Sequence, residues 1–204
     1  MKTLIATILL LLLTGCTTIG FDTKVRESYS WEPQTNMTIC VLVGPNVDNA
    51  EKMSAHSQKE FSQYNINLDF EYQDWTPPRR QILKAVMQVP LKAPCDRLFA
   101  YLHRPIWQSL ISLVASIEGE VDNASGSRGY AYVSGLSASG LVAGPSKYIV
   151  AHEFYHLVGC GHGMSKNNCY AKIKEMKHIS TDEFVPSWSF MLDKWLYERD
   201  GKLR

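Results

Sequence analysis

The chain has 204 residues, of which 45% are apolar and 11% aromatic. That composition can fill a packed core, which excludes an intrinsically disordered protein. The 21 Lys and Arg are balanced by 20 Asp and Glu, so nucleic acid is not expected as a partner. Beyond the N-terminal segment, the length suits one domain of average size.

Residues 1–15 are predicted to be a secretory signal peptide. One Lys precedes an apolar run over residues 4–13, which is too short to span a bilayer. The run ends in the string LTGC, which resembles the lipobox of bacterial lipoproteins. The resemblance implies that Cys16 is acylated and anchors the mature chain to a lipid bilayer of the bacterial cell envelope. Because Thr17 and not Asp follows, it implies the outer membrane if the cell is Gram-negative; an ordinary signal peptide with a chance Cys is the alternative.

Residues 16–37 follow as the lipidated Cys and a polar tether, and residues 38–204 are predicted to form the domain. Its strand patterns alternate or are continuously apolar, and its helix patterns have a period of 3.6 residues. The elements expected in chain order are a buried strand at 38–43, an amphipathic helix at 47–64, a half-buried strand at 66–72, a short helix at 81–89, a strand at 97–102, a helix at 106–114, strands at 119–122 and 129–134, a helix at 148–158, and a terminal helix after a capping box at 180–183. This order predicts an α+β fold.

One eleven-residue string, HEFYHLVGCGH, carries most of the chemical information. Residues four apart share one face of a helix, so His152 and His156 can bind the same ion. Glu153 is adjacent, and its carboxylate can reach a water molecule on that ion as a general base. Gly159 can end the helix with a sharp turn, which would return His162 as a third ligand. Three neutral imidazoles suit Zn²⁺ and leave a fourth position open.

The string matches H-E-x-x-H-x-x-G-x-x-H and resembles the signature of the metzincins, a class of zinc metallopeptidases. The resemblance implies a twisted mixed sheet, an edge strand above the zinc that pairs with an extended substrate, a zinc helix, and a short C-terminal part with a final helix. The strand at 129–134 has the expected place in this order, so Gly129, Tyr130, Ala131 and Tyr132 are assigned to the edge strand. An ordinary buried strand is the alternative.

Metzincins also have a methionine-containing turn below the metal, and Met176 is the candidate for it. Met164 follows the third histidine too closely, and Met191 lies within the predicted last helix. Some metzincins place a Tyr near the metal two residues after this methionine, and here His178 has that position. A surface histidine is the alternative.

Four cysteines remain beyond the lipobox, and in an oxidising compartment they are expected to form disulfides. Four cysteines allow three pairings. No two of them have the two-to-four-residue spacing that structural zinc sites use. Cys160 and Cys169 bracket His162, so we predict that these two are joined, with Cys40 and Cys95 as the remaining pair.

These observations predict a zinc-dependent endopeptidase that binds one Zn²⁺ per chain, uses Glu153 as general base, and hydrolyses peptide or protein substrates. One rival is a gluzincin, in which Glu175 or Glu183 would replace the third histidine as ligand. A non-catalytic zinc-binding envelope lipoprotein and a hydrolase of peptidoglycan peptides are the other two.

Overall fold

The computed structural model describes five segments of the chain, which are residues 23–104, 118–122, 126–135, 146–162 and 166–179. Several predictions lie outside the described residues: the signal peptide, the acylated Cys16, the helix at 106–114, Glu183, and the terminal helix with its capping box. None of the helices in the described segments is long and apolar enough to cross a bilayer.

Helices and strands alternate along most of the described chain. In chain order they are α1 (Thr23–Glu27), β1 (Thr35–Val43), α2 (Ala50–Phe61) with a 3₁₀ turn (Ser62–Tyr64), β2 (Ile66–Asp74), α3 (Ile82–Gln88), β3 (Arg97–His103), β4 (Gly119–Val121), β5 (Arg128–Ser134), α4 (Ser146–Leu157) and α5 (Lys166–Ile179). The elements predicted between residues 38 and 103, the two short strands after them and the histidine-bearing helix are all present, with shifted ends.

The predicted tether is the first place where the structure differs. Strand β1 begins at Thr35, and helix α1 lies further upstream. Tyr29 and Trp31 pack against the main core, with the Trp31 ring in edge contact with Tyr64 at 5.0 Å and Tyr170 at 6.1 Å. The surface against which Tyr29 and Trp31 pack is formed by residues that are distant in the sequence. The segment's own composition is mostly polar, so its sequence alone does not predict this packing.

A five-stranded sheet, with strand order β2-β1-β3-β5-β4, forms the centre of the described structure. Strands β2, β1, β3 and β5 are parallel, and β4 runs antiparallel to β5. In register, Val41 of β1 lies opposite Tyr72 of β2 and Phe99 of β3. The sheet is therefore mixed, as predicted, but it is mostly parallel.

Strand β5 is an interior strand, which corrects the edge-strand assignment. Both of its sides are hydrogen-bonded, to β3 and to β4, so Gly129, Tyr130, Ala131 and Tyr132 cannot pair with a substrate. The strand at this end of the sheet is β4, which lies next to β5. The strands that pair with β5 are determined by the tertiary structure. The sequence of β5 alone does not show whether one or both of its edges are hydrogen-bonded to a neighbouring strand.

Both faces of the sheet are covered, and alternate residues of each strand serve the two layers. Val41 belongs to the main core, whereas Leu42 belongs to a smaller core under α3. The main core also contains apolar residues of α2, α4 and α5, among them Phe61, Phe154 and Ile173. Helix α4, which carries His152 and His156, is thus packed against the sheet and against α2.

Helix α5 occupies a region that was expected to be a loop. Met176 lies within this helix and is 5% exposed in the main core, so the turn predicted at Met176 is not present. Cys169, Tyr170, Ile173 and Met176 are buried at helical spacing, and this spacing is the signal that could have identified the helix. His178 lies in the same helix.

Candidate metal centre

Three histidine side chains converge at the end of α4. His152 and His156 lie one turn apart on this helix, and their Nε2 atoms are 3.1 Å apart. Their ligand atoms and that of His162 all lie within 4.8 Å of one another. Two nitrogens bound to one tetrahedral Zn²⁺ are about 3.3 Å apart, so the spacing of His152 and His156 fits a shared ion, and His162 lies close enough to join them. The first two histidines are buried and the third is exposed, which leaves one side of the centre accessible.

The end of α4 directs the chain back to the site. Gly159 has a φ of +92°, a left-handed conformation that strains any residue with a Cβ. The N–H of Cys160 donates to the carbonyl of Tyr155 at 3.0 Å, and the N–H of Gly159 donates to the carbonyl of His156 at 3.0 Å. These two bonds form a Schellman motif. The sharp turn places His162 beside the other two histidines.

The same turn orients His156. Its Nδ1 is hydrogen-bonded to the carbonyl oxygen of Cys160. Because a carbonyl can only accept, Nδ1 carries the proton and Nε2 presents its lone pair towards His152. Metal-binding histidines are commonly held by such a bond from the other ring nitrogen.

Both predicted disulfides are present. Cys160 is joined to Cys169, with a Cα–Cα distance of 4.8 Å, and Cys40 is joined to Cys95. The first disulfide closes the segment that contains His162 and ties it to α5. A crosslink of this kind reduces the conformational freedom of the third ligand before any ion binds.

Burial keeps His152 and His156 in the form that binds metal. Burial, together with the neighbouring His156 and His162, lowers the pKa of His152 to about 4. Burial also lowers the pKa of His156, although the bond to Cys160 opposes this change. A neutral imidazole is the metal-binding form, so the two buried histidines need not lose a proton at neutral pH.

Glu153 lies against the backbone of the edge strand. Its side chain is buried, and a Cβ added to Gly119 would lie 2.6 Å from its Cγ and 2.8 Å from its Cδ and Oε1. Only a glycine leaves room for this carboxyl group. Burial, together with the charge of Glu120, raises the pKa of Glu153 to about 8. A cation held by the histidines would favour the ionised form. The sequence did not identify Gly119 as a site residue, although a glycine within a strand pattern can indicate that another group approaches the backbone closely.

The opposite side of α4 is anchored by polar contacts. The hydroxyls of Tyr155 and Tyr64 are 2.7 Å apart, and the Tyr155 hydroxyl donates to Glu60 Oε1 at 2.6 Å. These bonds connect α4 to α2 and its 3₁₀ turn. They fix the rotation of the helix, and thereby the direction in which the histidines point.

Arg97 stabilises the C-terminal end of α4. It is 1% exposed, and its Nε donates to the carbonyl of Leu157 at 3.0 Å. Burial lowers its pKa to about 10, which still leaves the guanidinium charged at neutral pH. A cation at a helix C-terminus is favourable. The sequence predicted Arg97 only as the first residue of a strand. A charged residue at the start of a buried strand was the feature that could have indicated a buried ionic contact.

Other predicted site residues lie elsewhere. Tyr130 belongs to the smaller core, and its hydroxyl donates to Glu120 Oε2 at 3.5 Å. Glu175 is exposed and pairs with Lys172 at 2.6 Å, so it is not a member of the histidine cluster. Within the described residues, the structure therefore favours His162 over Glu175 as third ligand.

No family model matches this sequence, and no curated protein matches it. The crystal structure of archaemetzincin from Methanopyrus kandleri is similar to this chain at 15% sequence identity. The match covers 79% of this chain and 96% of that chain, with a TM-score of 0.44. At this level of similarity, function has to be argued from the residues of the site itself.

Proposed function

We propose that this protein is a zinc-dependent metalloendopeptidase in which His152, His156 and His162 hold the ion. The observation that carries the proposal is the convergence of three imidazoles beside a buried carboxyl group. The donor set suits Zn²⁺, because three neutral nitrogen ligands with an open side are typical of catalytic zinc sites. Zinc bound here supplies Lewis acidity, which polarises a carbonyl and lowers the pKa of water.

Glu153 is the proposed general base. It follows the first ligand directly and is held between α4 and the backbone at Gly119. Its carboxylate takes a proton from the attacking water and later gives it to the leaving amine. Because the side chain is buried, bulk water does not compete for the carboxylate.

The hydrogen bonds of β4 define which of its backbone groups are available to a substrate. The N–H of Tyr132 donates to the carbonyl of Glu118 at 2.8 Å, and the N–H of Asp122 donates to the carbonyl of Arg128 at 2.9 Å. In an antiparallel pair, such residues alternate with residues whose backbone groups point away from the partner strand.

This alternation leaves an open edge next to Glu153. Glu120 turns its backbone towards β5, whereas the N–H and C=O groups of Gly119 and Val121 point outward. No strand of the described segments pairs with this side of β4. We propose that an extended peptide adds to this edge as a further strand, with its scissile bond near the histidines.

Zinc analysis and hydrolysis of a random peptide library test the proposal. We expect about one zinc per chain, cleavage of internal peptide bonds, loss of cleavage with a chelator, and recovery after zinc is restored. Tight zinc binding without cleavage of any peptide or cell-wall preparation would instead support the non-catalytic zinc protein. Cleavage of purified cell wall without cleavage of linear peptides would support the hydrolase of peptidoglycan peptides.

The proposed setting is the bacterial cell envelope, with the chain attached to a lipid bilayer through Cys16. This proposal depends on the lipobox-like string and the apolar run before it. The intact mass of the mature chain tests it, since an unmodified Cys16 or cleavage at another residue contradicts the anchor.

Gly119→Ala is expected to lower kcat by roughly tenfold while zinc content stays unchanged. The added methyl group would overlap the Glu153 carboxyl, and misplacement of a catalytic group by about 1 Å can cost up to ~10²-fold. Steady-state kinetics and metal analysis of the purified variant give both values.

A second substitution distinguishes displacement of the base from general damage. Glu153→Ala removes all three atoms that the added methyl group would approach, so Gly119→Ala should lower the melting temperature less in the Glu153→Ala background than in the parent. An equal decrease in both backgrounds would show that the methyl group acts through something other than Glu153.

A further inference from the structure

Glu120 lies in the middle of the edge strand, and its side chain is exposed. The neutral hydroxyl of Tyr130 donates a hydrogen bond to Glu120 Oε2 at 3.5 Å. The other acid of this edge differs, because Glu118 is paired with the buried Arg104 at 3.2 Å. Among the described residues, no Lys or Arg forms an ion pair with Glu120. As far as the described segments extend, Glu120 therefore presents a negative charge without a cationic partner at the proposed substrate edge.

The pleat of β4 determines where that charge points. Val121 is buried in the main core and Gly119 faces Glu153, so both lie on the α4 side of the sheet. Glu120, between them, points to the opposite side, as does its cross-strand neighbour Tyr130. In an added strand, the residue directly opposite Glu120 would extend its side chain to this same side, about 5 Å away.

We infer that Glu120 selects peptide substrates with a Lys or Arg side chain at the position opposite it. This inference depends on the proposed peptidase function and on pairing of the substrate with β4. Opposite charges that face each other across two strands attract, and like charges repel. A favourable pair is expected to contribute about 2- to 5-fold and an unfavourable one a similar loss, so Lys and Glu at this position should differ by roughly tenfold.

Two series of peptides test the inference. Each has a neutral, polar background in which a single Lys or a single Glu is moved through every position in turn. We expect one position at which kcat/KM is about tenfold higher for Lys than for Glu at low ionic strength, with the ratio decreasing as salt screens the pair. In Glu120→Gln the ratio should fall towards one, and in Glu120→Lys it should invert.

Each variant is judged by its ratio of kcat/KM for the Lys peptide to that for the Glu peptide, because a general change in rate affects both peptides equally and cancels in the ratio. The matched control is Glu71→Gln, which removes an exposed carboxylate from β2, the opposite edge of the sheet, and should keep the parent ratio. The inference is overturned if no position shows a preference, or if the preference survives in Glu120→Gln.

Peptide binding separates this inference from the proposed function. If the parent cleaves no peptide, the peptidase proposal fails, and the affinity of zinc-loaded Glu153→Gln protein for the same two series still decides the role of Glu120. Tighter binding of the Lys peptide that disappears in the Glu120→Gln, Glu153→Gln double variant supports the inference. Equal binding of Lys and Glu peptides at every position rejects it.

Discussion

Glu153→Gln is expected to lower peptide hydrolysis by at least ~10²-fold and to leave the zinc content near one per chain. The amide has nearly the same size and can still form hydrogen bonds, but it cannot take a proton at neutral pH. A positioned general base contributes ~10²- to 10⁴-fold. Because the Glu153 side chain is not one of the proposed zinc ligands, metal analysis should give the same zinc content for the variant and the parent protein.

Glu60→Gln provides the matched control for this substitution. Glu60 accepts a hydrogen bond from Tyr155, and the amide oxygen of a Gln can still accept it. The substitution therefore removes a carboxylate near α4 but keeps the bond that anchors the helix and does not change the proposed base. We expect hydrolysis to stay within a few-fold of the parent. Parent-like hydrolysis by Glu153→Gln itself would show that another group takes the proton.

His156→Ala is expected to weaken zinc binding and hydrolysis together, each by at least ~10²-fold. Loss of a group that only supports a zinc ligand already costs about 10- to 100-fold in affinity, and this variant removes a ligand together with its bond to Cys160. Zinc affinity by competition with a chromophoric chelator and kcat/KM at one equivalent of zinc give the two numbers. Excess zinc should restore part of the activity, which it cannot do for Glu153→Gln.

His56→Ala is the control for the loss of an imidazole. His56 lies on α2 and outside the histidine cluster, so its removal should leave the zinc affinity unchanged. Zinc binding by His156→Ala as tight as that of the parent would exclude His156 as a ligand. In that case the two remaining histidines would need another partner.

The support of α4 explains why one short helix can carry the proposed chemistry. Its C-terminal end is held by the Gly159 turn, by the guanidinium of Arg97 and by the disulfide between Cys160 and Cys169. The side of the helix that faces α2 is held by the hydroxyl of Tyr155. Rigid support of ligands is needed in a metal site, because misdirected side chains lose affinity for the ion.

The histidine cluster could be predicted from the sequence because its parts are close along the chain. A helix brings residues four apart to one face, and a glycine in the left-handed conformation can end the helix and reverse the chain. His152, His156, Gly159 and His162 therefore meet through local geometry alone. The disulfide beside them could be predicted for the same reason, since Cys160 and Cys169 flank the third ligand.

The surroundings of the cluster could not be predicted in this way. Gly119 and Arg97 reach α4 only because the sheet packs against it, and Met176 is buried in a helix where a turn was expected. Each of these contacts joins residues far apart in the sequence. A pattern of apolar and polar residues shows that a side chain is buried, but it does not name the partner.

The edge of the sheet shows the difference most clearly. The sequence by itself determined the convergence of the three histidines, the position of Glu153 beside the first of them and the existence of both short strands, because helical spacing and strand alternation are local properties. The tertiary structure decided that, among the described strands, β4 and not β5 lies at this edge of the sheet. Gly119 and Glu120 therefore take the edge positions that were predicted for Gly129 and Tyr130. The physical reason is that strand order depends on which hydrogen-bonding partners the whole chain makes available, whereas a helix satisfies its own backbone.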